Sequence, residues 1–128
     1  MPFGSYERIN YTRDFTAYRE VLSGWTFSQE DFASLPVEPE DFIYADPPYD
    51  VEFTQYSKEV FTWADQVRLA EWLALHPGPV VLSNQATPRI VRLYRAHGFS
   101  LRFLDAPRRI SCNGNRTPAR EVLAVKNL

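Results

Sequence analysis

The sequence has little of what staples or metal cages are made from. Its one cysteine, Cys112, excludes an internal disulfide and suits a reducing, cytoplasmic setting. Its two histidines, His76 and His97, lie far apart in the chain, so no zinc site and no other metal is expected. No apolar run exceeds a few residues, which falls far short of a membrane span. The first residues carry no signal-peptide pattern. Glycine is scarce: five residues, at positions 4, 24, 78, 98 and 114, with no two within two residues of each other. No internal repeat or low-complexity tract is present.

What remains suits one soluble globular domain. The 128 residues can close around a single core. Apolar residues make up 45% and charged residues 23%, while aromatics reach a rich 15%. The net charge of −2 hides an asymmetry. Residues 1–76 hold 5 basic and 14 acidic side chains, a balance of −9; residues 77–128 hold 9 basic and 2 acidic, a balance of +7. All but one of the late basic residues are arginine, the side chain that binds phosphate bidentately. A phosphate-contacting surface and a merely solvated basic face both fit that pattern.

Local signals predict the elements. "TAYREVLSG" reads as a short helix capped by Thr16 and stopped at Gly24. "WTFSQ" reads as a short strand, and "FIYA" as a compact strand buried on both faces. Residues 50–60 read as a mobile polar loop. "TWADQVRLAEWLALHPG" is an amphipathic helix with Thr62 as cap, Asp65 in its first turn, and Pro77 and Gly78 as its stop. Its apolar face is Trp63, Val67, Ala70 and Ala74, flanked by Leu69 and Leu73; Trp63 and Trp72 read as core. "PVVLSNQ" is a second buried strand. "TPRIVRLYRAHG" is a helix with Thr87 as cap, Pro88 at its first position and Gly98 past its end. Arg89, Arg92 and Arg95 fall along its outer side. "SLRFLDA" and "EVLAVKN" read as an antiparallel pair joined by a long loop. The alternation of strand and helix argues for an α/β sheet with parallel strands.

One stretch stands out: "DFIYADPPYDVEF", residues 41–53. It runs a buried strand straight into an acid, two prolines and a tyrosine. Ligands of open α/β sheets bind outside the carboxyl ends of the strands, where this turn falls. Pro48 keeps Pro47 out of helical geometry, and neither proline has an N–H to donate. The turn therefore offers hydrogen-bond acceptors beside one flat ring, which suits an amino group on a heterocycle. A given tetrapeptide arises by chance about once in 10⁵ positions. A bare turn remains the plain alternative.

These residues resemble the catalytic motif of the amino-methyltransferases, in particular the Dam-like (D12 class) DNA adenine-N6 methyltransferases. "SNQATPRIVRLY", "RRISCNGNRTPAREVLAV" and the segment "MPFGSYERINY" are similar to that family as well. The resemblance implies a partial Rossmann-like, S-adenosylmethionine-dependent methyltransferase fold: a mixed α/β sheet with a carboxyl-terminal antiparallel pair. Residues 1–15 would end a target-recognition segment, and 16–128 would form part of the catalytic core. It implies that Asp46 and the Pro47 carbonyl accept hydrogen bonds from the exocyclic amine of a flipped adenine, with Pro48 stiffening the turn and Tyr49 stacking on the base. Asp46 would also favour the cationic donor, S-adenosylmethionine. Asp31 and Phe32 resemble the acid and aromatic that meet the cofactor's adenine end, with a helix-capping aspartate as the alternative. Arg108, Arg109, Asn113 and Arg116 would contact DNA phosphates. Ser83 and Asn84 would line the same crevice, or simply cap a strand end. Cys112 reads as a bystander.

The departure is at the amino-terminal side. Complete members carry a Phe-x-Gly-x-Gly turn and a recognition domain, and this chain lacks the turn and most of that domain. The resemblance is thus to a carboxyl-terminal portion, expected to be inactive alone. Without its neighbouring strand, "FIYA" is expected to be an exposed apolar edge, which calls for a complementary half or self-association. A non-catalytic remnant that binds nucleic acid weakly, or serves as an interaction module, is the alternative. Related enzymes acting on RNA adenine or on protein glutamine more often carry asparagine at the position of Asp46.

Overall fold

The computed structural model describes residues 14–50, 61–106 and 119–128. Two compact units divide the chain, residues 1–30 and 31–128. In the first, α1 (Thr16–Leu22) is the expected short helix. Its cap differs from expectation. Phe15 occupies the cap position, and the Asp14 carboxylate accepts from the Thr16 N–H at 3.0 Å and its hydroxyl at 2.7 Å. Asp14 lies two residues earlier than the threonine that the pattern suggested, and its carboxylate is the better acceptor. "WTFSQ" is not a strand: Trp25 closes a turn onto the Leu22 carbonyl, and Trp25 and Phe27 stack on each other. Alternation of apolar residues is not enough where no described strand pairs with them.

The second unit holds a four-stranded mixed sheet of β1 (Ile43–Ala45), β2 (Val80–Gln85), β3 (Ser100–Ala106) and β4 (Ala119–Lys126), in the order β1-β2-β4-β3. β1 and β2 are parallel, linked through α2 (Trp63–Leu75). β4 is antiparallel to both its neighbours and lies between β2 and β3. The strand–helix–strand order therefore yields parallel directions for β1, β2 and β3, but the last strand separates β2 from β3.

Helix ends follow their sequence signals. Thr62 and Asp65 form a reciprocal capping box on α2. Thr87 caps α3 (Pro88–Ala96), Pro88 opens it, and Gly98 takes the left-handed conformation (φ 81°) just beyond its end. The core lies between the helices and one sheet face. Leu69, Ala70 and Leu73 of α2 and Ile90 and Tyr94 of α3 pack on Val80, Leu82, Val122 and Ala124. Each aliphatic side chain larger than alanine contributes about 1.5–3 kcal/mol by leaving water.

The register puts Tyr44, Val81, Ser83 and Leu123 on the opposite face. No described helix of this unit covers it. "FIYA" is accordingly not buried on both sides: Phe42 is 59% and Tyr44 57% exposed, whereas Ile43 and Ala45 turn into the core. β1 is also the outer strand of the described sheet. None of the described helices is long and apolar enough to cross a membrane.

Candidate active site

Parallel pairing builds the site. Ala45 lies opposite Leu82, so the next residues, Asp46 and Ser83, meet at the carboxyl ends of β1 and β2. The Ser83 hydroxyl donates to Asp46 Oδ1 and also lies 3.3 Å from the Ala45 carbonyl. A serine has one proton to give, and the charge-assisted bond to the carboxylate is the stronger. The Tyr44 hydroxyl in turn donates to Ser83 Oγ at 3.4 Å. Asp46 is exposed, and among the described residues only its Oδ1 is engaged. Its Oδ2 remains available to a donor from outside.

Asp46 and Pro47 border a hollow of about 440 Å³ that runs along β1, within the usual range for small-ligand sites. Its walls are apolar and aromatic: Phe32, Leu35, Phe42, Tyr44, Phe61 and Trp72. Tyr49 is half-buried near Ser83 and Tyr44, and it is not among the residues that line the hollow. Partial burial pushes its phenol up; the nearby Ser83 hydroxyl works the other way, and the charges of Glu121 and Asp46 add to the rise. Tyr49 thus stays a neutral phenol, with a ring that is neither fully sunk in the core nor fully free.

Beneath the turn lies a buried polar cluster that the pattern of apolar residues hid. Gln66, on the inner face of α2, donates through Nε2 to the Pro48 carbonyl at 2.7 Å. Asn84 does not line the crevice; it is 0% exposed and accepts the Asp50 N–H at 2.9 Å. Burial pushes the Tyr94 phenol well up, against the Asn84 amide that donates to it. Asp50, read from sequence as the start of a polar loop, is 8% exposed. Its carboxylate takes the Thr87 hydroxyl at 2.9 Å and the Arg89 guanidinium. Arg89 therefore does not lie on a purely solvated face, and it stacks at 4.6 Å over Trp63, itself more exposed than a core residue. The sequence signal for Gln66 was present: it falls on the apolar stripe of α2, between Trp63 and Ala70.

The pair is asymmetric, and so are the expected costs. Arg89 is half exposed, while the Asp50 side chain is not. Asp50→Ala takes one partner from a guanidinium that water can reach, and should cost about 1 kcal/mol. Arg89→Ala strands a buried carboxylate on one hydroxyl, and should cost about 2 kcal/mol. Urea denaturation of the two variants checks the order.

Asp31 and Phe32 divide in role. Phe32 opens a short 3-10 turn, Phe32–Ser34, and lines the hollow, in contact with Phe61 and Trp72. Asp31 caps that turn through the Ala33 N–H and binds Arg68 with both oxygens at 2.8 Å. It is not among the residues that line the hollow. The Arg68 hydrogen bond first, and the Ala33 N–H second, hold its carboxyl at about 2, below its ordinary 3.8. A carboxylate depressed on folding stabilises the fold above its unfolded value and loses that contribution as pH falls through about 2. Melting temperature should therefore fall more steeply between pH 4 and 2 in the wild type than in Arg68→Ala. Equal slopes at constant ionic strength would show that solvent screens the pair completely.

Arg108, Arg109, Asn113 and Arg116 lie outside the described residues, as does Cys112. Among the described residues no cluster of metal-ligating side chains occurs.

Among the described residues, an α/β sheet that presents Asp-Pro-Pro-Tyr at the carboxyl crest of a parallel strand, beside an aromatic hollow, fits the amino-methyltransferase class. Comparison with known proteins narrows it. Residues 11–107 match the family described as D12 class N6 adenine-specific DNA methyltransferase, and the chain belongs to that family. It is similar to the Retron Ec67 DNA adenine methylase of Escherichia coli, 33% identical over 98% of this chain and 46% of that protein. It is 35% identical to the DNA adenine methylase of Vibrio cholerae, over 98% of this chain and 49% of that protein. The Type II methyltransferase M.MjaIII of Methanocaldococcus jannaschii is 35% identical, over 91% of this chain and 44% of its own length. The chain thus spans about half the length of these relatives.

Proposed function

We propose that this chain supplies the acceptor-amine side of an enzyme that methylates the N6 of an adenine turned out of DNA. The observation behind this reading is Asp46: an exposed carboxylate at the mouth of an aromatic hollow, with one oxygen tied to Ser83 and the other open. Asp46 Oδ2 and the Pro47 carbonyl accept hydrogen bonds from the two amine N–H groups, which draws the nitrogen lone pair out of conjugation with the ring and aims it at the methyl group. The Tyr49 ring stacks on the base and helps to offset the few kcal/mol that extrusion costs. The arginine-rich loop of Arg108, Arg109, Asn113 and Arg116 grips the phosphates.

The methyl donor of this reading is S-adenosylmethionine. The residues present fit it: an aromatic-walled hollow takes a flat heterocycle, and the Asp46 carboxylate attracts a cation. Phe32 is the wall at the cofactor's adenine end, with Asp31 beside it. When bound, the cofactor supplies a methyl group on a sulfonium, an already activated leaving group. The chain's own residues orient the amine and exclude water. The glycine-rich turn of the family is not in these 128 residues. A complementary portion that carries it is proposed to dock along β1, within a reducing cytoplasm.

Labelled methyl transfer tests the reading. This chain, combined with an amino-terminal portion from a family member, should yield N6-methyladenine in digested duplex DNA. The chain alone should give none. Incorporation into RNA or protein instead, or none in the combined sample despite binding of the cofactor, would point to the remnant reading.

A further inference from the structure

We infer that Gln66 and Asn84 are positioning residues that fix the direction of the Tyr49 ring and leave the Pro47 carbonyl, rather than that of Pro48, to the substrate amine; this rests on the function proposed above. Tyr49 sits between two peptide groups. The one before it shows its carbonyl, that of Pro48, to Gln66 Nε2 at 2.7 Å. The one after it shows its N–H, that of Asp50, to Asn84 Oδ1 at 2.9 Å. Gln66 and Asn84 are themselves joined, Nδ2 of Asn84 donating to Oε1 of Gln66 at 3.0 Å. Both backbone torsions of Tyr49 are thereby clamped from one buried amide pair.

The pair can stand only one way round. Asn84 Oδ1 accepts from the N–H groups of Asp50 and Gln85, and its Nδ2 donates to Gln66 and to the Tyr94 hydroxyl at 3.0 Å. All four of its hydrogen-bonding positions are filled. A flipped amide would push its NH₂ against two N–H donors, so the network has a single polarity. That polarity makes Gln66 a donor toward the turn, and it occupies the Pro48 carbonyl. The Pro47 carbonyl has no hydrogen bond among the described residues, which leaves it to an incoming amine. Ordinary core packing would need neither the polarity nor the link to both sides of one residue. Leu or Met would fill the volume.

Gln66→Glu and Gln66→Met separate positioning from packing. Protonated, a glutamic acid at 66 has one O–H for the Pro48 carbonyl and one C=O for Asn84, which restores the network. Ionised, it faces a carbonyl with a negative charge. Burial raises its pKa, with Tyr94 and the Asp50–Arg89 pair as the titratable and charged groups of the same cluster. Methionine restores nothing at any pH. Amide hydrogen exchange at Tyr49 and Asp50 is read first, on the chain itself. Gln66→Met should speed it about tenfold, while Ile90→Val, a core variant of modest cost, should leave it unchanged. In the combined enzyme, Gln66→Met should lower kcat about 10²-fold with KM for DNA within about threefold. Gln66→Glu should recover toward wild type as pH falls, and Gln66→Met should not. Unchanged exchange at Tyr49 and Asp50, or a flat ratio of Gln66→Glu to wild-type activity across pH, overturns the inference. Absence of transfer by the wild-type enzyme would instead sink the proposed function, and the exchange measurement would still decide whether the clamp exists. If Gln66→Met does not fold, Gln66→Glu below its pKa keeps the fold and carries the same comparison.

Discussion

Asp46→Ala should lower methyl transfer to DNA by about 10³-fold in the enzyme assembled around this chain, with little change in stability. The asymmetry comes from where Asp46 sits. It is exposed, so its removal leaves no cavity. It is bonded within the described residues through one oxygen to Ser83, a hydroxyl that can turn to the Ala45 carbonyl 3.3 Å away. The fold loses about one part-buried hydrogen bond, near 0.5–1 kcal/mol. Under the proposed function, the reaction loses the acceptor that orients the amine, and the carboxylate that faces a cationic donor. Asp46→Asn keeps an acceptor and loses the charge, so it should fall between wild type and alanine. Steady-state methylation with labelled cofactor measures the loss, and thermal denaturation checks the fold. Activity of the alanine variant within tenfold of wild type would remove Asp46 from its assigned role.

Gly78→Ala should destabilise the second unit by about 3 kcal/mol, more than a surface substitution in the connection after a helix would suggest. A Cβ placed there would stand 2.5 Å from the Asp41 carbonyl oxygen and 2.7 Å from that of Pro39. It would also lie 2.6 Å from His76 Nε2, which is itself bonded to the Asp41 carbonyl at 2.8 Å. Two of these neighbours are backbone and cannot swing aside. The Asn127 side chain holds the Gly78 carbonyl from the other direction at 3.1 Å. Relief would have to come from the segment leading into β1, which meets the next residue through the Ile43 N–H on the Pro79 carbonyl. The clash thus reaches the strand that leads into Asp46. Gly24→Ala is the matched control, since nothing lies within 4 Å of its would-be Cβ. Equal urea midpoints for the two variants would show that the segment leading into β1 yields freely.

The same glycine shows how far a sequence can be read. Gly78 was legible as a helix stop, because stops are local. Its crowding against Pro39 and Asp41 was not, because those residues lie far earlier in the chain. Helix caps at Thr62 and Thr87, the Gly98 terminus and the strand before Asp46 were all within reach of local rules. So was the motif itself, whose rarity marks it. The insertion of β4 between β2 and β3 was not legible, since pairing partners of antiparallel strands are set by distant contacts. Gln66 and Asp50 were missed, and Asn84 was misplaced, for one shared reason. Each was judged by its own polarity, and a buried polar residue is satisfied only by others that are distant in sequence. "WTFSQ" failed in the opposite sense: its propensity was read correctly, but no described strand pairs with it.

β4 also sets an order of events during synthesis. β3 has no other strand beside it in the described sheet, and β4 follows it in the chain. Until it leaves the ribosome, β3 has no ladder to join and the far side of β2 stands open. Nascent chains stalled before β4 has emerged should therefore be open to proteases and chaperones, while emergence of β4 joins β3 to β2 in one step.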